Sequence, residues 1–476
     1  MTTTRVLADD VVKLYAVDGD RKLVATCFWG DTLQEVRRSD GRPVFGLPRA
    51  VWNEQKTRYE NKTVEVQPKR DVAFQDESVL KVRFVDVGQG DAAMVETPGG
   101  QRILIDGGEG PWFRRYLRVA YAHVLRNRSL HCDAIVVTHG DADHFAGLID
   151  LLDSKRNAND PMVTADFIFH NGLVKKGGED AKTVFGKTKK SGSDWYAVDL
   201  VDDIRAVPDS RLNNTFKKWR DAVKALQSSN GAVKVRRLEY GAPQPFSFID
   251  DPNFEMKVLG PVVDDVAGKP ALPLLHKPGS NSYSASHTVN GHSVVLKLTY
   301  GNVRFLFGAD LNEESEERLA THARGTGDSL AAEILKVPHH GSADFSPRML
   351  EAVRAVVSVV SCGDESTAKE YIHPRAGLVG ALGKYSRATV EKPLIYVTEM
   401  VAFFRRLKKA VEPGPGGTER SILNPYEKLQ FGIVHVRTDG ERVLVATHSG
   451  KDDQKESYVF HVNEQGEITW DEPSIV

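Results

Sequence analysis

The segment Asp133-Ala-Ile-Val-Val-Thr-His139-Gly-Asp141-Ala-Asp143-His144 sets the tightest limit on how this chain can fold. The apolar run Ala134–Val137 is short, β-branched and unbroken, which predicts a strand buried on both faces. Its end delivers His139, Asp141, Asp143 and His144 into a tight loop. From Phe145 to Leu152 apolar residues recur at helical spacing, so a helix follows. Four groups able to bind a metal therefore lie between two rigid elements, where ligands can be pre-positioned. The alternation His-x-Asp-x-Asp-His lets His139 and Asp141 face one ion while Asp143 and His144 face another. A solvated acidic turn holding two histidines is the plainer alternative, and the flanking strand and helix argue against it.

A chain of 476 residues can bury a large core and is long enough for more than one domain. The formal net charge of −2 names no partner by itself. No apolar run reaches membrane-spanning length, and the first residues lack the apolar core of a signal peptide. The three cysteines, Cys27, Cys132 and Cys362, are too few and too far apart for a disulfide framework or a cysteine zinc site. These features lead us to expect a reduced, cytoplasmic protein with no membrane association.

Residues 1–78 read as a small β-rich module, with strand-like runs at Val11–Ala16 and Leu23–Trp29 and a polar link from Asn53 to Asp76. It carries no evident chemistry and is expected to serve packing or a protein partner. From residue 79 to 476 the pattern changes. Strands are expected at Leu80–Val87, Ala92–Thr97 and Arg102–Asp106, then a helix over Trp112–Arg126 and a strand at Asp166–Phe169. Residues 172–235 are Lys- and Gly-rich and then helical near Thr215–Leu226. We read them as an insertion at the rim of a site, its lysines being either solvated or phosphate-gathering. A hairpin follows from His292 through Gly301-Asn302 to Phe307, and then a helix over Glu313–His322. Short strands are expected at Ile334–Pro338 and Ala355–Ser361, and C-terminal strands over 431–462. Antiparallel groups of strands separated by helices suit two packed sheets covered by helices, an α/β (α+β) architecture.

Four further places repeat the design of a strand end carrying His or Asp beside glycine. They are Asp106 in Ile-Asp-Gly-Gly, His292 in Asn-Gly-His-Ser, Asp310 in Gly-Ala-Asp, and His339-His340 before Gly341-Ser342. Each alone is weak, because a strand-end Asp is usually a turn residue and a lone His usually packs against a core.

Taken in order, the series resembles the metallo-β-lactamase superfamily, and within it the nuclease-like domain of bacterial competence DNA-uptake proteins. Asp86-Val-Gly-Gln-Gly-Asp91, His139-x-Asp-x-Asp-His144 and Lys336-Val-Pro-His-His-Gly-Ser342 carry the resemblance, which covers about residues 80–450. The membrane-channel segments of the uptake proteins have no counterpart, so DNA import is not implied. The resemblance implies a four-layer αββα sandwich with a two-metal site at one edge. His139 and Asp141 would hold the first ion, and Asp143, His144 and His340 the second. Asp310 would bridge the two, and Asp106 would orient loop ligands. A further histidine for the first ion is open among His170, His287 and His292, with His292 favoured. His340 is preferred to His339 as ligand because it adjoins Gly341, which leaves His339 to meet substrate.

Asp141, where most of the superfamily has histidine, hardens the expected site. Preference then shifts towards Mn2+ or Mg2+, with Zn2+ still compatible. Two divalent ions would generate a bridging hydroxide, oriented by Asp143 and Asp310, and would clamp a phosphoryl group. Lys336, His339, Ser342 and His373 in Tyr-Ile-His-Pro-Arg375 are candidates to contact phosphate. The expected activity is that of a phosphodiesterase or nuclease acting on nucleic acid. The alternatives are a hydrolase of a small phosphoester or cyclic nucleotide, and a non-catalytic scaffold in a larger assembly.

Overall fold

A computed structural model describes residues 3–17, 22–53, 58–363, 373–387, 390, 393–399, 403–406, 411–413, 419–421, 426–430, 432–447 and 457–471. Ten of the described strands form one sheet. Its order is Lys234–Arg237, Val163–His170, Leu130–Val137, Arg102–Ile105, Ala93–Glu96, Leu80–Val85, Ile433–Thr438, Arg442–Thr447, Ser457–Val462 and Ile468–Trp470. The first four run parallel and the remainder pair antiparallel. A second sheet of six strands runs in the order Phe254–Gly260, Val295–Tyr300, Val303–Phe307, Ile334–Lys336, Val357–Val360 and Leu394–Val397.

Period-two alternation explains how the two sheets stack. Leu80, Val82 and Phe84 point inward, with Val95, Ala134, Val136, Val434 and Val436 from their own sheet. They meet Val258, Leu296, Leu298, Phe305, Phe307 and Val357 from the other. The opposite faces are covered by helices. Trp112–Ala120, Ala142–Asp153 and Asn214–Ala225 pack on the first sheet through Phe113, Leu148, Phe216 and Trp219. Glu313–Thr326, Pro347–Val353 and Ala376–Lys384 cover the second through Leu319, Leu350 and Leu378. The architecture is the expected αββα sandwich, with an added β-rich module.

That module is a sheet of seven described strands ordered Leu23–Phe28, Val11–Ala16, Arg58–Pro68, Arg42–Asn53, Thr32–Ser39, Thr3–Leu7 and Phe74–Gln75. The polar stretch read as a link therefore contributes strand Arg58–Pro68, with Val64 and Val66 opposite Leu47 and Phe45. Two apolar side chains among polar neighbours are too weak a signal to mark it. The module docks on the C-terminal strands. Val11, Phe28, Trp29 and Val79 pack on Leu444, Ala446 and Val459. Asp31 pairs with Arg437 at 3.0 Å and Asp10 with Arg442 at 2.5 Å. Arg437 is buried and lies directly opposite Lys81, so Asp31 supplies a counter-charge that two adjacent cations require.

The stretch read as a rim insertion is partly structural. Helix Asn214–Ala225 buries Phe216, Trp219, Ala222 and Val223 against the helix that follows the metal loop. The expected helix over 112–126 breaks at Tyr121, whose hydroxyl bonds the half-buried Glu96 carboxylate. No described helix is long and apolar enough to cross a membrane.

Candidate metal centre

The site is assembled at one edge of the sandwich, chiefly from four strand ends. Strand Leu130–Val137 ends in Thr138-His139, and Asp141 is the backbone N-cap of helix Ala142–Asp153, which carries Asp143 and His144 in its first turn. Next to it, strand Arg102–Ile105 ends at Asp106, in a left-handed conformation that Asp tolerates (φ 57°). The following glycines let the helix approach. A Cβ on Gly147 would lie 2.1 Å from the Gly107 carbonyl oxygen. From the second sheet, Val303–Phe307 leads to Asp310, and Ile334–Lys336 leads to His339-His340. Both histidines have positive φ (48° and 52°), a strained backbone that persists only where its surroundings hold it.

Hydrogen bonds fix the protonation pattern of three imidazoles. Asp106 Oδ2 accepts from Thr138 Oγ1 at 2.6 Å and from His144 Nδ1 at 2.8 Å, and Oδ1 accepts from the Thr138 amide at 2.8 Å. The Thr138 hydroxyl is thereby left to accept from His139 Nδ1 at 3.1 Å. His340 Nδ1 donates to the Ser361 carbonyl at 3.0 Å. With each Nδ1 carrying a proton, each Nε2 offers a lone pair. All three Nε2 atoms are buried without a hydrogen-bond partner. They surround Asp310 Oδ2, at 4.0 Å from His139, 3.3 Å from His144 and 3.0 Å from His340. Asp143 Oδ2 lies 3.4 Å from His340 Nε2. Asp91, His144, Asp310 and His340 bring ligand atoms within 4.8 Å of one another.

The electrostatics are those of a cation site. Burial would raise the Asp310 carboxyl, but His340 and His144 hold it well below the usual carboxylate range. Burial likewise opposes charge on His144 and His340, and the surrounding carboxylates, Asp310 foremost, outweigh it and lift both well above the ordinary histidine value. His139 is pushed well down by burial, with His144 adding to the effect. Burial raises Asp106. A second proton on His144 or His340 would take Nε2, the atom that faces the carboxylates, and would offset their charge there as a metal ion would. Oriented lone pairs and an anionic surround fit a divalent ion.

Not every expected ligand joins this group. Asp141 turns away, pairing with Lys175 Nζ at 2.5 Å. His292 ends helix Ala285–Gly291 rather than starting the next strand, and its Nε2 donates to the Pro273 carbonyl at 2.7 Å. Both nitrogens of His170 are engaged, with the Asp202 carbonyl and the Gly172 amide. His287 lies 3.8 Å from Asp344. Burial lowers His170 and His292 to about 4, as suits neutral structural imidazoles. Lys336, expected to contact phosphate, is buried. Its Nζ pairs with Asp91 and donates to the Ala309 carbonyl at 3.1 Å. The Ser342 hydroxyl accepts from the Asp344 amide at 3.2 Å and shapes the turn. His339 and His373 lie side by side, ring centroids 6.3 Å apart, next to the cluster. Burial lowers His373 to about 4.

Two participants had no assigned role in the sequence reading, Asp91 and Thr138. Asp91 closes the Asp-Val-Gly-Gln-Gly-Asp motif, and the motif itself was the available signal. Its glycines are needed for fit. Gly90 has φ +97°, and a Cβ there would lie 1.6 Å from the Asp143 carbonyl oxygen.

Residues 85–222 match the sequence model of the Metallo-beta-lactamase superfamily, so this stretch is a metallo-β-lactamase superfamily domain. The match runs through most of the stretch expected to be an insertion. The fold typically binds divalent metal ions, and the cluster supplies ligands of the appropriate kind. Among solved structures, a point mutant of the CmlA beta-hydroxylase is similar, at 11% identity and a TM-score of 0.33. That similarity covers 75% of this chain and 55% of the hydroxylase, so the chain spans little more than half of that structure's length. A search of curated proteins found no match.

Proposed function

We propose that this chain is a metal-dependent hydrolase of phosphodiesters, with nucleic acid as its substrate class. The observation that carries the reading is the convergence of three Nε2 lone pairs on Asp310 inside a buried group rich in carboxylates. His139, His144, His340 and Asp310 would hold the metal. Three imidazoles and one carboxylate suit Zn2+ and also accommodate Mn2+. When bound, the ion lowers the pKa of a coordinated water and offsets charge on a phosphoryl oxygen.

The chain's own residues do the rest. Asp106 and Thr138 hold His144 and His139 in their ligand tautomers. Asp143 is partly open to solvent, lies 3.4 Å from His340 Nε2 and is kept ionised by His144 and His340, so it is placed to orient a water by accepting its hydrogen bond. His339 and His373 line the approach to the cluster and would meet the substrate's phosphate. The motif resemblance to DNA-uptake nuclease domains supports the choice of nucleic acid.

The test is metal analysis followed by assays on single- and double-stranded DNA and RNA with Mn2+, Mg2+ and Zn2+, with Asp143→Ala and Asp310→Ala as controls. Metal-dependent cleavage lost in both variants is expected. Turnover of a small phosphodiester with no cleavage of any nucleic acid would reject the substrate class.

A further inference from the structure

We infer that the centre takes one divalent ion, and that the Lys336 ammonium group is its second fixed positive charge. The inference rests on the metal-dependent reading above but departs from a two-metal site.

Two observations carry it. First, the side chains expected to build a separate position around His139 are committed elsewhere. Asp141 Oδ1 is 2.5 Å from Lys175 Nζ. With the Asn290 amide turned so that its oxygen accepts from His339 Nε2 at 3.3 Å, its nitrogen donates to Asp141 Oδ2 at 2.8 Å. Both Asp141 oxygens are then occupied. His292 and His170 are spent on backbone groups. His139 is left with only the shared focus at Asp310.

Second, an ammonium group already stands beside that focus. Lys336 is 4% exposed, pairs with Asp91, donates to the Ala309 carbonyl at 3.1 Å and lies 3.9 Å from Asp310 Oδ1. It occupies the space between the Asp91 and Asp310 carboxylates, which a second ion would need.

Equilibrium dialysis of the full chain against Mn2+, followed by elemental analysis, should give one ion per chain. Electron paramagnetic resonance should show an isolated Mn2+ rather than an exchange-coupled pair. Two equivalents, or a coupled spectrum, overturns the inference while leaving the hydrolase reading intact. No bound metal at all overturns both. Lys336→Met, shown by its melting curve to be folded, should take up a second equivalent because Asp91 and Asp310 lose their fixed cation. A folded variant that still holds one ion would show that Lys336 does not exclude a second. If the variant does not fold, the wild-type stoichiometry and spectrum decide.

Discussion

Asp106→Asn isolates how the protein orients its ligands. Asp106 accepts three hydrogen bonds, from the Thr138 amide, the Thr138 hydroxyl and His144 Nδ1, at 2.6 to 2.8 Å. Asparagine keeps one acceptor oxygen for the amide, but its NH2 replaces the Oδ2 that serves the other two. Two donors then face a donor. His144 must rotate or move its proton to Nε2, the atom needed for the metal. Asn tolerates the left-handed backbone at this position (φ 57°), so main-chain strain does not confuse the outcome. Loss of an orienting partner of this kind costs roughly 10- to 100-fold in metal affinity, or about 1.4 to 2.8 kcal/mol. Competition for Mn2+ against a chromophoric chelator measures it directly, with unfolding of the metal-free proteins followed in parallel. A folded variant whose metal affinity stays within twofold of wild type would refute the claim that Asp106 fixes the tautomer of His144.

Other perturbations test the surrounding frame. Glu316, buried at the start of helix Glu313–Thr326, has its carboxyl raised by burial from 4.5 to about 8. Its contribution to stability is therefore complete below about pH 4.5 and is lost as pH rises through 8. Glu316→Gln should gain roughly 3–5 kcal/mol on wild type between pH 5 and pH 9, read from urea melts; a pH-independent difference would refute this. Gly90→Ala places a methyl group on the Asp143 backbone and should cost roughly 2–4 kcal/mol and abolish metal uptake, measured by melting and metal analysis. Asp31→Ala leaves buried Arg437 opposite Lys81 without its partner and should cost roughly 3–5 kcal/mol in denaturant melts, whereas a loss below 1 kcal/mol would show that the Asp31–Arg437 pair does not hold the module in place.

Local features of the fold were legible in the sequence. The run Ala134–Val137 is buried on both faces of its strand, as its uniform apolarity requires, and the helix after the loop extends from Ala142 to Asp153. The ends carrying Asp106, Asp310 and His340 could be located because each joins an apolar run to glycine, and the structure brings them to one edge. What remained hidden depends on distant partners. Asp141 looks like a ligand until Lys175, 34 residues later, is seen to reach it. His292 sits at a reasonable spacing before Asp310, yet a helix capped by Ser284 precedes it and the Pro273 carbonyl takes its ring. Lys336 resembles a phosphate-binding lysine by position, and only the fold shows that Asp91 claims it.

The placement of strand Leu80–Val85 bears on how the chain is made. It pairs on one side with Ala93–Glu96 and on the other with Ile433–Thr438, from the far end of the sequence. A nascent chain emerging from the ribosome therefore holds Asp91, Asp106 and the His-rich loop long before the neighbouring strand exists. Until then Leu80–Val85 is an open sheet edge, and Phe28 and Trp29 of the first module have no surface to cover them. Lys81 and Arg83 along that edge would discourage pairing with other nascent chains during the wait. Lys81, which faces Arg437 and its Asp31 partner in the finished molecule, would thus protect the unfinished one.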